Sequence, residues 1–225
     1  MKDKLQAMLL QEGACDVGFS HLPDAPLQLK NSLSVAIRLS DAVVEEITDR
    51  PTHSYFHHYR TVNFMIDQLI LKAGILLQKE GYRYLPVAAS QSINLGNGPY
   101  DGRYSHKKAA CMAGMGFIGK SSLFIHRQYG PRVRLGTLFT DCDFKTEPTT
   151  PKSLCGSCTL CQDACPSGAI LGGEYHCGIK REEIFNPKLC SDHMKKAYQM
   201  IGRGAVCGIC MRVCPFGIQA ASGKL

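Results

Sequence analysis

Nine of the chain's 12 cysteines fall between residues 155 and 214, and all but Cys177 stand at spacings that point to one chemistry. Cys155-x2-Cys158-x2-Cys161-x3-Cys165-Pro166 is the run that ligates [4Fe–4S] clusters in bacterial ferredoxins. Three thiolates on one tight loop reach three corners of a cubane. The fourth follows on a helical turn that points away, so it serves a second cluster. A second run, Cys207-x2-Cys210-x3-Cys214-Pro215, is one ligand short, and Cys190 supplies the missing thiolate from upstream. The count then closes. One cluster takes Cys155, Cys158, Cys161 and Cys214, and the other takes Cys165, Cys190, Cys207 and Cys210. Zinc sites are instead built on paired Cys-x2-Cys units, without a four-cysteine run ending in Cys-Pro. Cys15, Cys111, Cys142 and Cys177 are left over and read as small buried hydrophobes, with Cys177, beside His176, held open as an extra ligand.

The rest of the composition fits a reduced, folded protein. With 225 residues, 44% of them hydrophobic and 20% charged, the chain can bury a core and is not a disordered tail. Its longest apolar stretch, Phe64 to Leu77, is interrupted by Asp67 and Lys72 and is too short to span a membrane. Met1 to Leu10 lacks the apolar length of a secretory signal, which predicts a cytoplasmic location and unpaired thiols. The formal charge of +7 falls to about +3 once two clusters with four thiolates each are bound. The basic balance is therefore partly counter-charge.

Before the cysteines, the pattern alternates helix and strand. Lys2–Glu12 reads as a helix stopped by Gly13, and Val17–Phe19 and Ser34–Leu39 read as strands. Tyr55–Gln78 carries the strongest helical spacing, followed by a short strand at Tyr84–Ala88 and a loop over 90–104. His106–Ala113 is a short helix. Ser122–His126 and Arg132–Thr140 read as two strands of a hairpin turning at Gln128–Pro131. Residues 145–153 read as a linker, which divides the chain into an α/β domain over 1–144 and a small double-cluster domain over 145–225.

Gly114-Met-Gly116-Phe-Ile-Gly119-Lys120-Ser121 satisfies the spacing of two nucleotide-binding motifs. Both of those need a strand before the glycines and a helix after them, so that the helix N-terminus meets phosphate. The order here is reversed. The segment reads as a tight helix-to-strand turn, or as bare backbone against which a large flat cofactor lies.

The stretch from Ala113 through Leu135-Gly-Thr-Leu-Phe-Thr140, then Cys155 to Ile170, Cys190 and Cys207 to Pro215, resembles epoxyqueuosine reductases, relatives of the reductive dehalogenases. The resemblance covers roughly residues 80–217. It implies an α+β chain in which a nitroreductase-like cobalamin-binding α/β domain precedes a two-cluster ferredoxin-like domain. It also implies electron flow from an external low-potential donor, such as a ferredoxin or flavodoxin, through both clusters to base-off cobalamin, whose Co(I) form reduces the substrate. Gly114, Gly116, Phe117, Gly119, Lys120 and Tyr59 are the residues expected to meet cobalamin, with Arg132 and Arg134 as further cations.

Two features depart from the family. Its catalytic aspartate sits in a Val-Asp-Thr-like segment, where this chain has Val87-Ala88-Ala89-Ser90; Ala88 replaces the acid, leaving Asp101, Tyr104 and His106 as candidate proton donors. The family's helical-repeat region, which helps hold transfer RNA, has no counterpart before Leu225, so tRNA is not the expected partner, whereas a small-molecule or nucleoside substrate and a homodimer are compatible with the chain. These readings predict a cobalamin- and cluster-dependent reductase of unidentified substrate. The alternative is a ferredoxin-like electron carrier or corrinoid reductant without substrate chemistry of its own.

Overall fold

The computed structural model describes residues 1–91, 93, 100–147, 149, 151–176 and 178–221. In chain order the elements begin with α1 (Lys2–Gln11), β1 (Asp16–His21), β2 (Asn31–Arg38), α2 (Asp41–Glu45), α3 (His53–Lys79), β3 (Tyr84–Val87) and α4 (His106–Met112). They continue with β4 (Gly116–Ile118), β5 (Phe124–His126), β6 (Val133–Thr140), α5 (Leu160–Asp163), α6 (Arg181–Ile184), α7 (Pro187–Ala197), α8 (Ile209–Arg212) and α9 (Pro215–Ala221). These elements fall into two units, one of residues 1–38, 61–115 and 134–150, the other of residues 39–60, 116–133 and 151–225. None of the described helices is long and apolar enough to cross a membrane.

The first unit is built on a four-stranded sheet in the order β1-β2-β6-β3. β1 pairs antiparallel with β2, setting Val17 opposite Val35 and Phe19 opposite Leu33, and β3 pairs antiparallel with β6. The interior positions of β2 are buried on both faces. The serines that alternate with its apolar residues are therefore not a solvent face: Ser32 is buried, and its hydroxyl meets that of Ser20 at 2.7 Å across the strand pair. α3 buries Val62, Ile66, Leu69, Ile70, Ala73 and Leu77 along one stripe, as its spacing demands. It lies directly on β6 at Gly136, where an added Cβ would come 2.3 Å from Ile66 Cγ2. Only glycine allows that approach.

The hairpin expected at Gln128–Pro131 is half right. The chain does turn there, His126 and Gly130 exchanging backbone hydrogen bonds, but the two flanking segments join different sheets. β5 pairs back onto β4, with Phe117 opposite Ile125, while β6 enters the four-stranded sheet. The reason lies in the glycine segment. Gly119 and Ser122 close a tight turn through the Ser122 N–H to Gly119 carbonyl bond (2.8 Å), with Ser122 at φ 58°. This offers β5 a local partner before β6 is made, and local pairing closes the shorter loop.

The second unit combines this β4–β5 hairpin, α2 and the first turns of α3 with the cysteine-bearing helices α5 to α9. Ile47, Tyr55, Ile184, Ile201, Val206, Ile209 and Met211 form buried apolar packing within it. Arg132, 1% exposed, donates to Asp41 Oδ1 (2.7 Å) and Glu45 Oε1 (3.2 Å) on α2. A carboxylate pair is what allows a guanidinium to be buried so completely.

Candidate cluster-binding site

All eight candidate cysteines lie in the second unit, and all are half-buried free thiols. Their positions follow from short helices that start and stop between ligands. Gly156, at φ 52°, turns the loop so that the Cys158 N–H reaches the Cys155 carbonyl at 3.1 Å. α5 then carries Cys161 and ends just before Cys165. α8 carries Cys210 and ends just before Cys214, where Pro215 opens α9. Proline is tolerated at that first helical position because its missing N–H would be unbonded anyway.

Cys155, Cys158, Cys161 and Cys214 line one pocket, together with the segment Gly119–Ser121, Ile125, Pro215 and Phe216. The β4–β5 hairpin forms its wall. Phe117 packs edge-on against Phe216 with ring centroids 5.5 Å apart. A Cβ at Gly119 would come 3.3 Å from Cys155 Sγ and 3.0 Å from Ile125 Cγ1. Lys120, 9% exposed, turns its ammonium onto the cysteine loop, donating to the carbonyls of Gly156 (2.5 Å) and Cys158 (3.3 Å). Burial pushes the Cys161 thiol up, and the neighbouring Cys155 and Cys158 add to this. Burial also pushes Cys214 up to about 11.

The other four thiols form a second group. Burial raises Cys190 to about 11, and its charged neighbours are Cys207 and Cys165. Cys210 is raised by burial and then by Cys207, Cys190, Cys165 and Cys161 in turn. Cys161 is thus the member of the first group that also bears on the second. Cys165 differs in sign. Burial pushes it up, but hydrogen bonds from the Ser167 hydroxyl and from the Ser167, Ala169 and Ile170 amides outweigh that and hold it below the usual thiol value. Thiols that burial holds protonated give up their protons when a metal binds, and a pre-aimed set of amides favours the thiolate.

The arrangement fits cubanes better than single ions. A lone zinc draws its sulfurs to about 2.3 Å of one point. Among the described residues, no group of three His, Cys, Asp or Glu side chains gathers around one such point. Four thiols around an open volume, with a glycine where a Cβ would crowd the nearest sulfur, leave room for something larger. Arg212 Nε, on the helix between Cys210 and Cys214, is buried without a hydrogen-bond partner among the described residues.

Of the remaining cysteines, Cys111 and Cys142 are buried as anticipated, whereas Cys15 is half-buried. Burial raises Cys15 to about 11. Cys177 lies outside the described residues.

The residues expected to meet cobalamin are distributed over both units. Gly116, Phe117, Gly119, Lys120 and Tyr59 belong to the second, Gly114 to the first. Several have internal roles: a Cβ on Gly116 would strike the Ile125 carbonyl at 2.1 Å, and Phe117 is buried beside Phe216. Lys120 faces the cysteine loop, Arg132 is paired with α2, and Arg134 Nε donates to Asn63 Oδ1 at 2.8 Å. Gly114, at φ 72°, has room among the described residues, of which a Cβ there would meet Thr149 Oγ1 at 3.9 Å. Tyr59 is half-buried beside Tyr55.

The candidate proton donors occupy separate networks in the first unit. Tyr104 donates to Asp24 Oδ1 (2.9 Å), a carboxylate that also pairs with Lys108. Asp101 lies where its carbonyl accepts from the Ile93 N–H at 2.7 Å. His106 sits between the Ala88 carbonyl (3.0 Å from Nε2) and the Thr137 hydroxyl (2.8 Å from Nδ1). A carbonyl only accepts, so Nε2 carries the proton and Thr137 donates to Nδ1. Burial pushes this imidazole down. The carboxylate brought to this segment is one that sequence reasoning passed over: Asp67 Oδ1 accepts from the Ala89 N–H at 2.9 Å. Its only signal in the sequence is that it interrupts the apolar pattern of α3.

Residues 154–217 match the family model of a 4Fe-4S double cluster binding domain. Over 125 residues the chain is 37% identical to an epoxyqueuosine reductase of Listeria monocytogenes, a match spanning 51% of this chain and 30% of that protein. A solved epoxyqueuosine reductase from Streptococcus thermophilus superposes with TM-score 0.63 at 19% identity, over 97% of this chain and 66% of that one. A reductive dehalogenase whose structure suggests a mechanism for B12-dependent dehalogenation gives TM-score 0.73 at 16% identity, over 94% of this chain and 31% of that one. The chain therefore spans less than two thirds of the length of these relatives. The chain is thus similar in sequence to epoxyqueuosine reductases, shares its fold with them and with the reductive dehalogenases, and matches a 4Fe-4S double cluster binding domain at residues 154–217.

Proposed function

We propose that the chain is a reductase that passes single electrons from an external low-potential carrier through two [4Fe–4S] clusters to base-off cobalamin, for reduction of an unidentified substrate. The observation that carries this reading is the pair of thiol groups, with Cys155, Cys158, Cys161 and Cys214 around one cavity and Cys165, Cys190, Cys207 and Cys210 as mutual neighbours. When bound, the clusters supply one-electron storage and the cobalamin a strongly reducing metal centre.

The chain's own residues do the rest. Each set of thiolates holds one cluster. Cys161 and Cys210, one from each set, bring the two sets within electrostatic reach. Ile125 and Phe216 cover the first site with apolar surface, which limits water and sharpens the effect of any nearby charge. Gly114 is the residue with space among the described residues for contact to cobalamin through its backbone.

A second reading, an electron carrier or corrinoid reductant without substrate chemistry, is favoured by the Ala88 segment. There the Ala88 carbonyl is held by His106, and both nitrogens of that ring are engaged internally.

The two readings separate in one experiment. The protein is reconstituted anaerobically and mixed with cob(II)alamin, and corrin binding is followed by visible and electron paramagnetic resonance spectra. A bound base-off spectrum supports the reductase. A protein with about eight irons per chain that leaves cob(II)alamin free is a carrier.

A further inference from the structure

Lysine is rarely buried without a carboxylate, yet Lys120 is 9% exposed and its ammonium is directed to two backbone carbonyls. Both carbonyls belong to the loop bearing Cys155 and Cys158, and the residue itself lines the cavity of the first thiol group. No ion pair involves it among the described residues. Taking a full positive charge out of water is costly unless something negative is to be met. A four-thiolate cubane supplies that charge.

We propose that Lys120 is the counter-charge of the first cluster and holds its reduction potential above that of the second. This rests on the two-cluster reading above. One electron from a one-electron reductant takes such a cluster from about −2 to about −3. A neighbouring cation stabilises the more negative state more, so the electron is accepted at a higher potential. Among the described residues, the groups that bear electrostatically on Cys190 are Cys207 and Cys165, and those on Cys210 are Cys207, Cys190, Cys165 and Cys161, none of them a cation. Arg212 ends the helix between Cys210 of the second group and Cys214 of the first, with its Nε buried and without a hydrogen-bond partner among the described residues. An electron that enters through the second cluster then moves downhill to the first, against the β4–β5 hairpin. Lys120 is a positioning and charge-setting residue, since it acts through the loop and through its field.

The test is an anaerobic redox titration of the reconstituted protein, read by electron paramagnetic resonance. Lys120→Gln keeps a donor for the loop carbonyls and removes the charge. At the wild-type midpoint of the first cluster, its reduced-to-oxidised ratio should fall at least about ten-fold, a shift of about 59 mV for one electron. The second cluster should stay within about two-fold, and Lys120→Arg should remain near wild type. A Lys120→Gln protein that loads both clusters and titrates like wild type overturns the proposal. If Lys120→Gln does not retain the first cluster, Cys158→Ala decides. The cluster lost there must be the higher-potential one of the wild type, and survival of the higher-potential cluster overturns the proposal. A wild-type protein that binds no iron would instead refute the two-cluster reading, leaving a different signature.

Discussion

The two cysteine groups use the same ligand, drawn crosswise from two runs of similar spacing, but their settings differ. The first is walled by the β4–β5 hairpin, with Gly119 against Cys155 and Lys120 on the cysteine loop. The second is assembled from α7, α8 and the end of the first run, with other thiols as the electrostatic neighbours of Cys190 and Cys210 and with the Ser167 hydroxyl and nearby amides on Cys165. Ligand spacing therefore marks the cluster-binding residues, while the wall of the first group comes from a segment far away in sequence.

The strongest way to separate the two is to remove one ligand from each. Cys210→Ala and Cys158→Ala should each lower iron from about eight to about four per chain, measured by iron and acid-labile sulfide analysis. Cys210→Ala should also destabilise α7 and α8 more, visible as faster proteolysis, because the second group holds those helices largely through the cluster itself.

A smaller effect is expected from the buried guanidinium behind the hairpin. A Cβ on Gly217 would come 3.1 Å from Arg132 Nε, so the Arg132–α2 pairing supports the Cys214-Pro215-Phe216-Gly217 stretch. Asp41→Asn with Glu45→Gln leaves Arg132 buried and uncompensated. This should cost about 2–3 kcal/mol in denaturant unfolding, discounted from the usual buried-pair range because Glu45 is half exposed. The first cluster should be lost before the second in that variant.

Gly119→Ala is milder. The added methyl would crowd Ile125 and Cys155 at 3.0 and 3.3 Å, costing about 1–2 kcal/mol and lowering iron retention at the first site only.

The smallest effect belongs to the sheet-bearing unit and serves as a contrast. Burial holds His106 neutral, whereas the unfolded ring takes a proton near pH 6.5, about its usual value. Stability from this residue is thus present above about pH 6.5 and lost as pH falls through it. His106→Gln should flatten that part of the pH dependence of thermal unfolding without altering iron content.

The cluster ligands were legible in the sequence because ligation by Cys-x2-Cys runs is local; Cys190, far from either run, could be found only by counting. Helices α1 and α3 were legible from apolar spacing. The pairing of β5 was not, since periodicity marks a strand without naming its neighbour, and the turn at Gly119–Ser122 looks like a nucleotide motif. Ser20 and Ser32 lay outside the strands read from sequence, and nothing in the pattern announces that their buried hydroxyls satisfy each other. Lys120 was legible as a cation near a cofactor, but its partners are carbonyls 36 and 38 residues away. Asp67 was hidden because an acid on a helix is ordinarily a solvated one.

Mössbauer spectroscopy of the protein reconstituted anaerobically with iron-57 tests the central claim most directly. The account predicts about eight irons per chain, all in [4Fe–4S] form, with half lost in either single-site cysteine variant. A spectrum of mononuclear thiolate-bound iron, or thiols that take up zinc and assemble no cluster, would contradict it.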